Sequence, residues 1–254
     1  MRIITIALQK GGTGKSTTAH ALGQGLQQQG FRVLFVDVDP QGNLSSTMAA
    51  EAGRPTAYDV LTKKTTAQEA TQQTAQGAII PASPQLSGAD LEITQTGKEY
   101  RLKEALRPIR NKYDFCIIDT PPALGTLTIN ALTAATEVII PVQADTYSIH
   151  GITQLYSTIS AVKEYCNSDL RVEGILITRY NNRTILSRDL ADIIDSTAQQ
   201  LGTKLFKTTI REGIAIKEAQ ARREPLYSYA PASNPAKDYQ DFIVEYLQAT
   251  KGAK

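Results

Sequence analysis

Cysteine is almost absent from the 254 residues: Cys116 and Cys166 stand far apart and form no CxxC pair. That excludes a disulfide framework and a zinc knuckle, and it makes Cys116, set inside an apolar run, a packing residue. No apolar stretch approaches the roughly 20 residues of a membrane span. The chain enters a strand pattern at once, without the pattern of a signal peptide, so a soluble, cytoplasmic protein is expected. Repeats and low-complexity linkers are lacking as well. With 41% hydrophobic residues to build a core, one domain over residues 1–254 is expected. An excess of one charge is also missing overall, at net +2, but the balance is uneven along the chain. Residues 179–237 carry 10 Lys/Arg against 6 Asp/Glu, or +4, whereas 1–178 and 238–254 each come to −1. Such a stretch is either a solvated face or a surface for a polyanion.

What is present is a steady alternation of short apolar runs and longer amphipathic stretches. Strands are expected at Ile3–Leu8, Val33–Val36, Ala78–Pro81, Phe115–Ile118, Val138–Val142, Val172–Thr178 and Leu205–Thr209. Helices are expected at about 15–29, 99–111, 126–135, 149–166, 186–201 and 236–249, and a surface helix and loop at 62–77. This pattern predicts an α/β fold: a doubly wound, mainly parallel sheet with helices on both faces and its ligand at the C-terminal strand ends.

The first strand runs into "ALQKGGTGKST", residues 7–17. Gly11, Gly12 and Gly14 let the backbone turn its N–H groups toward phosphate oxygens, and Thr13 and Thr17 complete the loop. Lys15 is placed for the β- and γ-phosphates of a nucleotide, and the Ser16 hydroxyl for Mg²⁺. Lys10 is a second lysine that a simple phosphate loop does not require. Asp119 ends the apolar strand Phe115–Ile118, where a Walker B carboxylate is delivered to the metal. Asp37 and Asp39 share one side if their strand persists, one near the metal and the other orienting the attacking water.

"KGGTGKST", "VDVDPQGN" and "IIDTPP", in this order and spacing, resemble the ParA/MinD family of deviant Walker P-loop NTPases, and more closely ParA/Soj-type partition proteins. Later blocks, "LSGADLEI", "YDFCIIDTPPALG", "LITRYNNRT" and "APASNPAKDY", extend the resemblance over nearly the whole chain. The resemblance implies an ATPase that uses ATP and Mg²⁺ and is slow until a partner stimulates it. Lys10 then corresponds to a signature lysine that crosses an ATP-sandwich homodimer to the phosphates of the other subunit. Asp39 corresponds to the carboxylate needed for hydrolysis, and Asn181, with Arg179 and Pro231, to the surroundings of adenine.

Within that family the sequence discriminates. A shared iron–sulfur cluster would need paired cysteines that are missing. A membrane-targeting helix of the MinD type would be basic, but Asp238, Asp241 and Glu245 rim the apolar stripe of the last helix. Membrane binding, or switching of a protein cargo, is the alternative to DNA partition. Arg183, Arg188, Lys204, Lys207, Arg211, Lys217, Arg222, Arg223 and Lys237 form the late basic segment, where partition ATPases carry a nonspecific DNA surface. Nonspecific DNA, a ParB-like or other adaptor and a place on the nucleoid are the partners and location that follow. Ile214-Ala215-Ile216 stands where the family often has an arginine, a departure within this segment.

Overall fold

The computed structural model describes residues 1–181 and 185–251. Among them the strands are β1 (Arg2–Ile6), β2 (Val33–Asp37), β3 (Gln72–Thr74), β4 (Gly77–Ile80), β5 (Phe115–Asp119), β6 (Glu137–Val142) and β7 (Arg171–Ile177). They form one sheet in the order β3-β4-β2-β5-β1-β6-β7, parallel throughout except for the β3–β4 pair. β1 lies between β5 and β6, so the chain reverses its direction of winding beside the end of β1. That is the topological switch point at which doubly wound sheets open a crevice.

Period-two alternation sorts the strand residues onto two apolar layers. Ile4, Ile6, Phe35, Phe115 and Ile117 face one side. There they meet α1 (Lys15–Gln28), α2 (Asn43–Thr47), α10 (Ile214–Arg222), α11 (Leu226–Tyr229) and α12 (Asn234–Lys251). On the other side Leu34, Val36, Cys116 and Ile118 pack on α3 (Ala57–Leu61), α4 (Ala67–Ala70), α5 (Ala89–Glu92), α6 (Arg101–Leu106) and α7 (Thr126–Ala134). Val138, Ile140, Ile175 and Ile177 continue that face under α8 (Thr146–Tyr165) and α9 (Ile185–Gln200). α1 sits close because it carries glycines where it touches its neighbours. A Cβ on Gly23 would stand 2.1 Å from the Phe35 ring, and one on Gly25 2.1 Å from Ile243.

The expected doubly wound α/β class is the observed one. Three local expectations change. Residues 62–77 hold not only α4 but the antiparallel strand β3, whose Gln72 is buried because its amide bonds the Glu51 backbone at 2.8 and 3.2 Å. Gln-Gln-Thr has no apolar alternation to announce a strand. The run Leu205–Thr209 is not a strand but a cover on the outer edge of β7. Ile175 donates to the Lys204 carbonyl at 2.9 Å and accepts from Phe206 N–H at 2.9 Å, and Ile210 N–H reaches Ile177 at 2.8 Å. The helix expected over 99–111 is regular only in α6, with tighter turns at Lys98–Tyr100 and Arg107–Ile109, the second containing Pro108.

The apolar stripe of α12 is closed off by the core. Tyr239, Phe242, Ile243 and Tyr246 are all buried, and the Tyr246 hydroxyl lies 2.7 Å from both Arg2 and the buried Glu137. Among the described residues no helix is long and apolar enough to cross a membrane.

Candidate active site

The loop between β1 and α1 takes its shape from Gly12 (φ 76°) and Gly14 (φ 83°), both left-handed, a conformation that costs glycine nothing. Gly14 precedes α1 and has no side chain to cap it, so the first N–H groups of the helix stay available to a ligand. Two neighbours brace the loop from outside. The Thr178 hydroxyl, just past β7, lies 2.8 Å from the Thr13 carbonyl, and Gln143, just past β6, donates to the Gly12 carbonyl at 2.7 Å.

Gly11, Gly12, Gly14, Lys15, Ser16 and Thr17 line a cleft of about 690 Å³, joined by Asp39 across it. Lys15 is 6% exposed and donates to the Lys10 carbonyl at 2.7 Å. Burial pushes its ammonium below the usual lysine range, against the opposing pull of Asp119 and Asp39. Asp119 is fully buried, and neither of its oxygens has a hydrogen bond of ordinary geometry. Burial first, then the charge of Asp37, holds its carboxyl well above the usual carboxylate range, with Ser16 and Lys15 pulling the other way. The Thr13 hydroxyl and the Gln9 side-chain oxygen are likewise buried without a partner. Orphaned groups of this kind, gathered at one glycine loop, are what a hydrated cation and its phosphates would satisfy.

The two other aspartates have separate surroundings. β2 stops at Asp37, so the strand does not persist to Asp39 and strand alternation does not set their relation. Asp37 is fully buried and accepts from Ser45 N–H (2.8 Å), the Ser45 hydroxyl (2.7 Å) and Asp39 N–H (3.1 Å). Burial raises its carboxyl to about 6 despite these bonds. It clasps the segment that leads into α2, and Asp39, accepting from Gln41 N–H at 3.0 Å, is the one presented to the cleft.

Lys10 lies at the margin, with its side chain 23% exposed. Its ammonium is bound by Asp145, the residue that caps α8. Arg179 lines the far wall with Ile210, Glu212, Gly213 and Ile216, and its guanidinium is bonded to Glu212 at 2.7 Å. Asn181 and the exposed Pro231 are not among the lining residues. Sequence reasoning missed Thr178, Glu212 and Gln220, whose amide donates to the Thr17 hydroxyl at 3.0 Å. Polar residues scattered over 178–220 show no local pattern, since only the fold brings them to the loop.

The basic segment divides in two. Arg211 is held by the buried Asp238 through its Nη2 (2.6 Å), Nε (2.9 Å) and backbone N–H (2.9 Å), and Lys204 pairs with Glu173 at 3.2 Å. Arg188, Lys207, Lys217, Arg222, Arg223 and Lys237 are exposed and form no ion pair among the described residues. Lys217 also lines the cleft. Arg183 lies outside the described residues.

An AAA domain family profile matches residues 1–172. The sporulation initiation inhibitor protein Soj of Bacillus subtilis is 40% identical over 96% of this chain and 97% of its own. The chromosome partitioning protein ParA of Myxococcus xanthus is 37% identical over 94% of this chain and 85% of its own. The chain belongs to the ParA/Soj family of partition ATPases. Among solved structures, cobyrinic acid a,c-diamide synthase from Mycobacterium smegmatis with bound ATP analog and magnesium superposes with a TM-score of 0.86. It is 34% identical over 100% of this chain and 97% of that one. The ParA/Soj membership accounts for the glycine loop, the three aspartates and the sheet order together.

Proposed function

We propose that this protein hydrolyses ATP with Mg²⁺, dimerises in the ATP state, and in that state binds duplex DNA without sequence preference. With a ParB-like adaptor it partitions or positions a plasmid, chromosome or mobile element, and it acts on the nucleoid. The observation that carries the ATP reading is Asp119, fully buried and unpartnered behind a glycine loop that presents Lys15 and Ser16. A carboxyl left in that condition is relieved either by taking up a proton or by a nearby cation, and a metal ion carried in with the phosphates supplies the second.

In this reading Ser16, Asp39 and Asp119 would hold Mg²⁺, which supplies charge neutralisation of the phosphates. No cluster of three His, Cys, Asp or Glu ligands is present among the described residues, and a P-loop site does not need one, since phosphates and water complete the shell. Lys15 turns from the Lys10 carbonyl to the β- and γ-phosphates. Asp39 orients the attacking water. Lys10 reaches the phosphates of the second subunit, where two triphosphates face to face need cations between them. Arg179, the one arginine lining the cleft among the described residues, is tied to Glu212, so among those residues no guanidinium lining the cleft is free for the transferred phosphoryl group. Hydrolysis is therefore slow in the isolated protein, an arginine finger being worth about 10³–10⁵ in rate.

DNA binding rests on the exposed, unpaired part of the basic segment, doubled on one surface by a two-fold dimer. The deciding experiment measures DNA affinity and sedimentation with Mg-ATP and with Mg-ADP. Tighter DNA binding by an ATP dimer supports the reading. A dimer that ignores DNA and binds anionic vesicles transfers it to membrane positioning, and turnover of tens per second without partners contradicts slow hydrolysis.

A further inference from the structure

Lys10 has a receptor inside its own subunit, built by residues 135 positions further along the chain. Asp145 divides its carboxylate between two tasks. One oxygen accepts from Ser148 N–H at 2.9 Å and caps α8, and the other takes the Lys10 ammonium. The Ser148 hydroxyl stands 3.5 Å from the same ammonium and the Tyr147 ring 6.0 Å from it. Gln143, two residues before Asp145, fastens the same segment to the Gly12 carbonyl at 2.7 Å, so the receptor is tied directly to the phosphate loop.

We propose that Asp145 is an intramolecular counter-ion that retains Lys10 in its own subunit and thereby sets the threshold for nucleotide-driven dimerisation. The proposal rests on the reading that Lys10 serves the phosphates of a second subunit. A lysine engaged by Asp145 must let go to do so, because carrying a carboxylate toward a triphosphate is repulsive. The two side chains are 23% and 31% exposed, so water and salt weaken the pair. The pair therefore biases the free protein toward the monomer without blocking the dimer. Partial burial pushes the Asp145 carboxyl up, but the bond from Lys10, the bonds from Ser148 and the charge of Lys10 together outweigh it and keep it below the usual range.

Asp145→Asn removes the charge and keeps a residue that caps helices equally well, so α8 is preserved. Sedimentation velocity over a protein concentration series, with Mg²⁺ and a non-hydrolysable ATP analogue, reads the dimer dissociation constant. Two such pairs break per dimer, and the constant is expected to fall about two- to twentyfold in the variant. The difference from wild type is expected to shrink at high salt. An unchanged or raised constant overturns the proposal, a raised one showing that Asp145 helps to aim Lys10 in the dimer. Lys10→Ala separates crossing from retention. If it dimerises as well as wild type, the crossing role of Lys10 is itself wrong. If it stays monomeric while Asp145→Asn matches wild type, the crossing role stands and only the retention by Asp145 falls.

Discussion

Asp37 and Asp119 are paired in register at the ends of β2 and β5, and both carboxylates are completely buried. Asp37 has three hydrogen-bond donors, whereas Asp119 has none of ordinary geometry, only the pull of Ser16 and Lys15. The unshared cost of burying charge thus falls on Asp119. Asp119→Asn is expected to stabilise the nucleotide-free protein at pH 8 by about 1–3 kcal/mol, as removal of a poorly compensated buried charge does. In thermal unfolding this is a rise of a few degrees for a chain of this size. The same variant loses the additional stabilisation by Mg-ATP that wild type shows. A nucleotide-free variant less stable than wild type would contradict this account of Asp119.

Lys15 and Asp39 both line the cleft and are expected to fail differently. Lys15→Ala removes the main phosphate cation, and equilibrium titration with a fluorescent ATP analogue should show binding lost. Asp39→Ala should retain binding and the ATP dimer while turnover drops about 100-fold or more, the usual scale for a residue that positions or deprotonates a nucleophile. If both variants bind nucleotide as wild type does, the cleft has been misassigned.

His20, only 6% exposed on α1, lies with Nε2 2.7 Å from the Gln76 side-chain oxygen, the geometry of a neutral ring donating its N–H. Burial pushes its pKa down to about 4 from the ordinary 6.5, more than the bond to Gln76 restores. The unfolded chain therefore takes up a proton that the folded chain refuses. The stabilisation is complete above pH 6.5 and is lost as pH falls toward about 4, roughly 3 kcal/mol in all. Urea unfolding should give His20→Gln a flatter stability profile than wild type across that window. Parallel profiles would show that His20 does not carry the acid sensitivity.

The two kinds of arginine in the basic segment should part company on mutation. Arg211→Ala leaves Asp238 buried with its guanidinium gone, and a loss of about 1–3 kcal/mol in stability is expected. Arg222→Glu with Arg223→Glu touches exposed residues, so ATP-dependent dimerisation and stability should be near wild type while DNA affinity falls. The salt dependence should become shallower, by about one unit of log–log slope for each DNA phosphate that is no longer neutralised. Unaltered DNA affinity in the double variant would move the DNA surface elsewhere, with Arg188, Lys207 and Lys237 the next to test.

The sequence displayed the sheet and the phosphate loop because both are written locally: apolar runs such as Phe115–Ile118, glycines at fixed offsets, an aspartate ending a strand. Asp145 stayed hidden, since nothing in "VQADTYSIH" marks it as the partner of Lys10 until β1 and β6 are side by side. β3 escaped for a different reason. Its three polar residues are held by the antiparallel ladder to β4 and by the bonds of Gln72 to Glu51, neither of which leaves an apolar period. Helix α10 was passed over because its apolar residues, Ile214 and Ile216 among them, are divided between solvent and the cleft and form no single stripe.

One border of the sheet is the three-residue polar strand β3, and at the other border β7 is covered by residues 204–210, which bond Ile175 and Ile177. A long open strand invites edge-to-edge polymerisation; a very short polar edge on one side and a covered edge on the other discourage it. Contacts between copies of this chain are thereby steered toward helices and loops rather than strand against strand.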